Sequence, residues 1–279
     1  MLPRQPRRAQ ILVVRPSRKL PAVRVLVIVP TYNELENIAR VVEATAAALP
    51  DAEMLVVDDG SPDGTGDRVE ELRGQHPNLH LLRRDGKSGL GSAYRAGFGW
   101  GLDRGYDVMV EMDADLSHDP SALPDLLAPV QEGHEVAIGS RYVPGGSIPR
   151  WKFHRHVLSR GGNRYASAVL GLGVTDSTAG FRAYASTVLN RIALDQVRAE
   201  GYGFQIEMTY EAKRAGASIV EVPIRFVDRE VGQSKMSSAI VVEALILVTW
   251  WGIRRLCAGA LRALRGRVAP RPQVRVPPS

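Results

Sequence analysis

The sequence has few cysteines, few aromatic residues and no long apolar run, and each shortage excludes a class of protein. The single cysteine, Cys257, excludes an internal disulfide and fits a reducing compartment. The most apolar segment, residues 239–253, is shorter than the roughly 20 residues that a membrane-spanning helix needs. The other features, 44% hydrophobic and 24% charged residues over 279 positions, are those of a globular protein with a sizeable core.

Acidic residues are missing from both ends of the chain. Residues 1–24 and residues 254–279 each carry seven Lys or Arg and no Asp or Glu. The middle of the chain contains the other 22 basic residues and all 30 acidic residues. Its net charge is therefore −8, although the whole chain has a net charge of +6. An acidic centre without a basic, aromatic-rich face argues against nucleic acid as a partner. The basic ends indicate either a membrane surface as a partner or solvated tails.

Apolar segments of strand length alternate with segments of helical period. The β-branched run at residues 23–29 predicts a buried parallel strand. Further strands are predicted at residues 54–57, 79–82, 108–112 and 136–138. The spacing of Thr31 and Glu34 predicts a capping box with a helix behind it. This alternation is typical of an α/β fold with a doubly wound, mostly parallel sheet, which binds ligands beyond the carboxyl ends of its strands.

Two carboxylates, Asp113 and Asp115, lie two residues apart after the fourth predicted strand. Residues i and i+2 of an extended segment share a face, so both side chains can converge on one cation. Without a cation the two charges would repel each other, so the pair indicates a site for Mg²⁺ or Mn²⁺, ions that also bind phosphate. His118 is interpreted as a surface or capping residue, because no second His or Cys lies near it in the sequence.

Six short blocks of the sequence follow one another in a recognisable order. They are VPTYNE at residues 29–34, VDDGSPDGT at 57–65, DADLSH at 113–118, GSRY at 139–142, AGFR at 179–182 and GQSK at 232–235. Together they resemble the dolichyl- or polyprenyl-phosphate mannosyltransferases, which are inverting nucleotide-sugar transferases with the Rossmann-like GT-A fold. The resemblance covers residues 23–238. It implies metal-dependent transfer of mannose from GDP-mannose to a polyprenyl phosphate, with Mg²⁺ or Mn²⁺ as the cofactor.

The resemblance also implies a role for individual positions. It places the donor at Pro30, Tyr32, Glu34, Val57, Asp59, Asp113, Ala114, Asp115, Arg229 and Lys235. It makes Asp113 and Asp115 the metal ligands, and it places the acceptor phosphate at Arg141, Arg155 and Ser159. The implied catalytic residues are Asp115, Arg141 and Arg155. Many relatives have Gln as a further metal ligand where this chain has Ser117, so a metal-binding role for Ser117 stays open.

We predict four segments along the chain. They are a basic, disordered tail at residues 1–22, the GT-A domain at 23–236, an amphipathic interfacial helix at 237–264 and a Pro/Arg-rich tail at 265–279. Tryptophans at positions 250 and 251 followed by Arg254 and Arg255 are typical of a helix at a membrane surface, although a helix buried in the core or in a dimer is the alternative. The expected location is peripheral, on the cytoplasmic face of a membrane. A separate membrane-anchoring protein is a further candidate partner.

Two alternatives to this function stay open. The first is a UDP-glucose:polyprenyl-phosphate glucosyltransferase, because the identity of base and sugar depends on a few pocket contacts. The second is a non-catalytic nucleotide-sugar-binding scaffold at the membrane. The presence of both aspartates and of the arginine set disfavours this second alternative.

Overall fold

A computed structural model of the chain describes residues 23–149, 151–228 and 238–267, with the side-chain environment left out for residues 238–242 and 258–267. Three of the predictions concern residues outside these ranges. They are the basic tail at residues 1–22, the loop that carries Arg229 and Lys235, and most of the Pro/Arg-rich tail.

Seven strands in the described part of the chain form one sheet in the order β3-β2-β1-β4-β6-β5-β7. They are β1 (Val25–Thr31), β2 (Glu53–Asp58), β3 (Leu79–Arg83), β4 (Val108–Glu111), β5 (Val136–Ser140), β6 (Arg182–Ala185) and β7 (Ile219–Pro223). Strand β6 runs antiparallel to β4 and β5, and all other neighbours are parallel. The predicted mostly parallel α/β sheet is thereby confirmed.

Helices cover both faces of the sheet. They are α1 (Leu35–Ala48), α2 (Thr65–Arg73), α3 (Leu90–Asp103), α4 (Leu123–Gln131), α5 (Phe153–Leu170), α6 (Ser186–Leu189), α7 (Gly201–Arg214) and α8 (Ser238–Arg267), with a 3-10 turn at Pro120–Ala122. Side chains alternate across β1, so that Leu26 and Ile28 pack in one core layer while Val27 and Val29 pack in the other. The first layer continues to α3, α5, α7 and α8, and the second to α1, α2 and α4.

The predicted capping box at Thr31 is wrong. Thr31 is still part of β1, and its hydroxyl donates to Asp58 Oδ1 at 2.9 Å, so it is not available to cap a helix. Helix α1 begins at Leu35, whose amide donates to Asp63 Oδ2 at 3.1 Å. The loop after β2 therefore caps the helix that follows β1. This hydrogen bond holds the loops after β1 and β2 together at the carboxyl edge of the sheet.

Helix α8 packs on α5 and α7 along one face only. Val248 and Trp251 belong to the core, and the hydroxyls of Tyr165 and Thr249 are 2.7 Å apart. The opposite face exposes Ile246, Ile253 and other apolar side chains. Among the helices that the structure describes, none combines the length and the apolar character needed to cross a bilayer.

Candidate active site

A polar cleft of about 440 Å³ opens at the carboxyl ends of β1, β2 and β4. Seven of the predicted donor-binding residues line it: Pro30, Tyr32, Glu34, Asp59, Asp113, Ala114 and Asp115. Strand order explains this gathering, because β1 lies between β2 and β4 and the loops after all three strands leave the sheet at the same edge. We name this space the donor cleft.

The two aspartates lie in a turn and not on a strand. Strand β4 ends at Glu111, and Leu116 has a left-handed φ of 57°, so the expected sharing of a strand face is wrong. Hydrogen bonds hold the turn: Ser117 N donates to Asp115 Oδ1 at 3.0 Å, and the buried Tyr94 hydroxyl donates to Asp113 Oδ1 at 3.3 Å. Both carboxylates nevertheless line the donor cleft.

The chemistry of this pair fits a hard divalent cation. Carboxylate oxygens are the ligands that Mg²⁺ and Mn²⁺ prefer. Within the described ranges no group of three or more His, Cys, Asp or Glu side chains is placed to hold a metal ion. Two carboxylates alone leave coordination positions open, which suits an ion shared with the oxygens of a bound diphosphate.

His118 is buried, so its interpretation as a surface or capping residue is wrong. Its ring stacks on Phe181 with 5.2 Å between centroids and meets Phe226 edge-on at 5.3 Å. Burial lowers the pKa of His118 to about 4, so the imidazole is neutral at pH 7. Its Nε2 lies 3.9 Å from Asp113 Oδ2, which places the ring as a packing support behind the carboxylate pair.

Asp59 and Tyr32 lie on the wall of the donor cleft that the loops after β1 and β2 form. Asp59 Oδ1 lies 2.9 Å from Arg84 Nη1, and Asp59 Oδ2 accepts from Ser88 N at 3.0 Å. The Lys87 ammonium stands 4.7 Å from the centroid of the Tyr32 ring. An aromatic face can stack on a base, a cation can pair with a phosphate, and a carboxylate can accept a hydrogen bond from a base or a ribose hydroxyl.

Val57 is the one predicted donor residue of the described part whose side chain the structure keeps away from the cleft. It is fully buried in the core layer that contains Leu55 and Phe98. Side chains alternate along β2, and this alternation turns Val57 into the core beneath the sheet. The Val57 side chain therefore packs in the core, and the predicted contact of Val57 with the nucleoside stays a prediction.

The N-terminus of α3 is already occupied by a carboxylate. Glu200, which lies before α7, accepts from Gly91 N at 2.7 Å and from Ser92 N at 3.1 Å, and it pairs with Arg95 at 3.4 Å. Free amides at a helix start often bind phosphate, and here Glu200 takes that place. The amides of Gly91 and Ser92 are thus not available to a phosphate.

A second, narrower groove of about 90 Å³ lies between α5, α7 and α8. Its walls are mostly apolar and include Leu158, Ala166, Ile206, Leu245 and Val248. All three predicted acceptor residues, Arg141, Arg155 and Ser159, line the same groove. We name this space the acceptor groove.

The two arginines of the acceptor groove have different environments. Arg141 forms a two-pronged pair with Asp176, at 2.7 Å from Nε and 2.6 Å from Nη2, and both side chains are buried. Burial by itself lowers the pKa of Arg141, but the Asp176 carboxylate outweighs it, so the pKa is raised and the charge is permanent. Arg155 is 31% exposed, pairs with Asp228 at 3.1 Å and stacks over Trp151.

Thr178 and Tyr202 line both the donor cleft and the acceptor groove. Thr178 accepts a hydrogen bond from Arg141 Nη2 at 2.8 Å, which ties this junction to the arginine. The sequence reasoning missed both residues, as it missed Glu200 and Gln205 of the same cleft. The donor cleft and the acceptor groove thus share part of their walls.

Comparison with known proteins identifies the family. Residues 26–193 match the model of glycosyl transferase family 2. The chain belongs to this family. An undecaprenyl-phosphate mannosyltransferase of Micrococcus luteus is 51% identical over 244 residues, which is 88% of this chain and 100% of that protein. A polyprenol monophosphomannose synthase of Mycolicibacterium smegmatis is 51% identical over 254 residues, 91% of this chain and 94% of that protein.

Solved structures of other transferases share the fold of this family 2 enzyme. The glucosyl-3-phosphoglycerate synthase of Mycobacterium tuberculosis superposes with a TM-score of 0.62 at 19% identity, over 81% of this chain and 79% of that one. At this identity the likeness concerns the fold alone. It confirms the predicted GT-A architecture.

Proposed function

We propose that this family 2 glycosyltransferase moves mannose from GDP-mannose to a polyprenyl phosphate of the dolichyl type, with inversion, and releases GDP. One observation carries the proposal. At Thr178 and Tyr202, a cleft that contains paired carboxylates joins an apolar groove that contains arginines. A lipid phosphate is the kind of acceptor that needs both an apolar channel and fixed cations. The relatives named as undecaprenyl-phosphate mannosyltransferase and polyprenol monophosphomannose synthase support the same substrate class.

The donor cleft holds the nucleotide sugar by its diphosphate. Asp113 and Asp115 would hold Mg²⁺ or Mn²⁺, which neutralises the charge that develops on the leaving GDP. The Tyr94 hydroxyl orients Asp113, and the Ser117 amide orients Asp115. Pro30, Tyr32, Glu34, Asp59 and Ala114 shape the nucleoside side of the cleft. Arg229 and Lys235 complete the donor site in this proposal.

The acceptor groove supplies orientation and charge. A phosphate monoester has its second pKa near about 6, so the attacking oxygen is largely anionic at neutral pH and no strong general base is required. This fits a donor cleft whose described lining contains no histidine and in which His118, next to Asp113, is buried and neutral. Arg141, Arg155 and Ser159 would position the phosphate for in-line attack on the anomeric carbon.

A panel of nucleotide sugars tests the donor. We expect GDP-mannose to give a labelled lipid product and UDP-glucose to give little. Efficient formation of a glucolipid would support the same class of reaction but would show that the transferred sugar is glucose from UDP-glucose. Binding of either donor without any lipid product in the presence of Mg²⁺, Mn²⁺ and polyprenyl phosphate would favour the scaffold and overturn the proposal.

Arg155 provides a test of the acceptor groove. Its ion pair with Asp228 is partly exposed, so Arg155→Ala should change the free energy of unfolding by less than about 1 kcal/mol. The lost charge-assisted contact should raise the KM for polyprenyl phosphate about 10-fold or more and leave the KM for GDP-mannose nearly unchanged. Arg164→Ala, an exposed change on the same helix outside the groove, is the control. An equal effect of both variants on KM would contradict the role of Arg155.

Exposed apolar side chains on α5 and α8, two of the helices that line the acceptor groove, form a patch suited to a membrane surface. The patch consists of Phe153, Val157 and Leu158 on α5 and of Ile246, Trp250, Ile253 and Leu256 on α8. Phe153 is 82% exposed, which is unusual for so large an apolar side chain. Positions 246, 250 and 253 share a helix face, as in a helix that lies in the plane of the interface. The patch supports a peripheral location at a membrane surface, and our proposal adds the cytoplasmic face and a separate anchoring protein as a further candidate partner.

Vesicle binding tests this patch. The double variant Phe153→Ser/Ile246→Ser should bind phosphatidylglycerol-containing vesicles at least about 10-fold more weakly in a sedimentation assay, because each side chain contributes about 1.5–3 kcal/mol when it leaves water. Leu35→Ser removes an exposed apolar residue of α1 outside the patch and should leave binding unchanged. Wild-type binding by the double variant would exclude this surface.

A further inference from the structure

The transferred sugar must lie where the two clefts join, because the reaction connects its anomeric carbon to an acceptor oxygen. Thr178 and Tyr202 form this junction, and the aspartate pair defines the diphosphate side. The wall between these points therefore faces the sugar. One residue of that wall, Gln205, has no part in the roles assigned above.

Gln205 lies on α7, one turn after Tyr202, and lines the donor cleft although it is only 2% exposed. A Cβ atom placed on Gly180 would stand 3.7 Å from Gln205 Nε2 and 3.4 Å from Asp113 Oδ2. The absence of a side chain at Gly180 thus leaves an open space that the Gln205 amide and the Asp113 carboxylate both border.

The main chain of Gln205 is fixed, while its side-chain amide keeps unused hydrogen-bonding capacity. The Gln205 carbonyl accepts from Arg182 Nη1 at 2.9 Å and from Thr209 Oγ1 at 2.8 Å. The Gln205 side-chain amide interacts with the buried Glu111 carboxyl, whose pKa burial raises to about 8 and this contact lowers. Beyond this contact, neither Gln205 Oε1 nor Nε2 has a hydrogen-bond partner among the described residues. An amide has one acceptor oxygen and two donor hydrogens, so Glu111 alone does not satisfy it, and unused hydrogen-bonding capacity in a buried amide at a ligand cleft indicates that the ligand completes it.

We propose that the Gln205 side chain hydrogen-bonds a hydroxyl group of the transferred sugar and contributes to the choice of sugar. An amide offers a donor and an acceptor on one rigid plane, which matches the dual character of a hydroxyl. It carries no charge, so it suits the neutral sugar better than the diphosphate, which faces the carboxylates and their cation. The inference rests on the proposed function, since it assigns a sugar to this part of the donor cleft.

A cycle of enzyme variants and donor analogues tests the contact. Gln205→Leu should lower kcat/KM for GDP-mannose about 10- to 100-fold, because a substrate hydroxyl loses its partner in a buried site. The affinity for GDP with Mn²⁺, measured by calorimetry, should stay within about twofold, since GDP contains no transferred sugar. Met208→Leu, a buried change on the same helix that lines neither cleft, is the control and should alter neither value.

Monodeoxy GDP-mannoses, each without a different hydroxyl, locate the contact. For one analogue the kcat/KM of the wild type should be low, and Gln205→Leu should not lower it further. The reason is that the variant has already lost the hydrogen bond that this analogue cannot form. An equal loss from wild type to variant for every analogue would overturn the inference. If Gln205→Leu unfolds, Gln205→Asn, which keeps the amide and withdraws it by one methylene, gives the same comparison. A wild-type enzyme that does not use GDP-mannose would instead refute the proposed function, which keeps the two failures distinct.

Discussion

Asp115→Asn is expected to lower mannosyl transfer at least about 10³-fold while the protein remains folded. The substitution removes one of the two charges that face the donor diphosphate. The amide oxygen of Asn can still accept the hydrogen bond that Asp115 Oδ1 takes from Ser117 N, so the turn keeps its conformation. The loss of rate should therefore come from weaker stabilisation of the leaving GDP and not from misfolding.

The measurement is the initial rate of lipid-linked mannose formation, with the midpoint of thermal unfolding recorded for the same samples. Asp125→Asn, an exposed change in the first turn of α4, is the matched control and should keep the wild-type rate. A variant at position 115 with normal rate and normal metal dependence would refute the role of the pair. A large fall in the unfolding temperature of Asp115→Asn would mean that Asp115 stabilises the fold and that the lost rate comes from misfolding.

Arg141→Ala should lower the free energy of unfolding by about 3–5 kcal/mol, far more than a surface change does. It leaves the carboxylate of Asp176 buried without the guanidinium that neutralises it. It also removes a hydrogen bond to Thr178 at the junction of the two clefts. Since Arg141 lines the acceptor groove as well, the variant should lose transfer activity even where it is still folded.

Chemical denaturation separates the two contributions of Arg141. The double variant Arg141→Ala/Asp176→Asn should recover part of the lost stability, because no charge is left buried alone, but it should not recover activity. Arg155→Ala serves as the comparison, since its pair with Asp228 is partly exposed. Equal unfolding free energies for Arg141→Ala and Arg155→Ala would contradict the proposed structural role of Arg141.

The sheet and most of the donor cleft were predictable from the sequence. Continuous apolar runs mark parallel strands, and the polar residues that end them meet at one edge of the sheet. The helix start at Leu35 was not predictable in the same way, because its cap comes from Asp63 in another loop. The environment of His118 likewise depends on Phe181 and Phe226, which are distant in sequence, so local pattern gave the wrong exposure.

The residues that sequence reasoning missed are those that act through tertiary contacts. Glu200 accepts hydrogen bonds from amides at the start of α3, although more than a hundred residues separate them in the sequence, and no sequence motif predicts such a contact. Gln205 stands in a helix among apolar neighbours, where a glutamine in the buried stretch Phe204–Met208 was the one available signal. Burial of polar side chains can be read from a structure, whereas periodicity shows only which positions face inward.

The most direct test is transfer of labelled mannose from GDP-mannose to a polyprenyl phosphate in detergent, with Mn²⁺ or Mg²⁺ and, in parallel, with EDTA. We expect a mannolipid that forms only with the divalent ion and only when the lipid phosphate is present. Release of mannose to water at the same rate without the lipid, or no product under any of these conditions, would contradict a direct transfer between the two joined clefts.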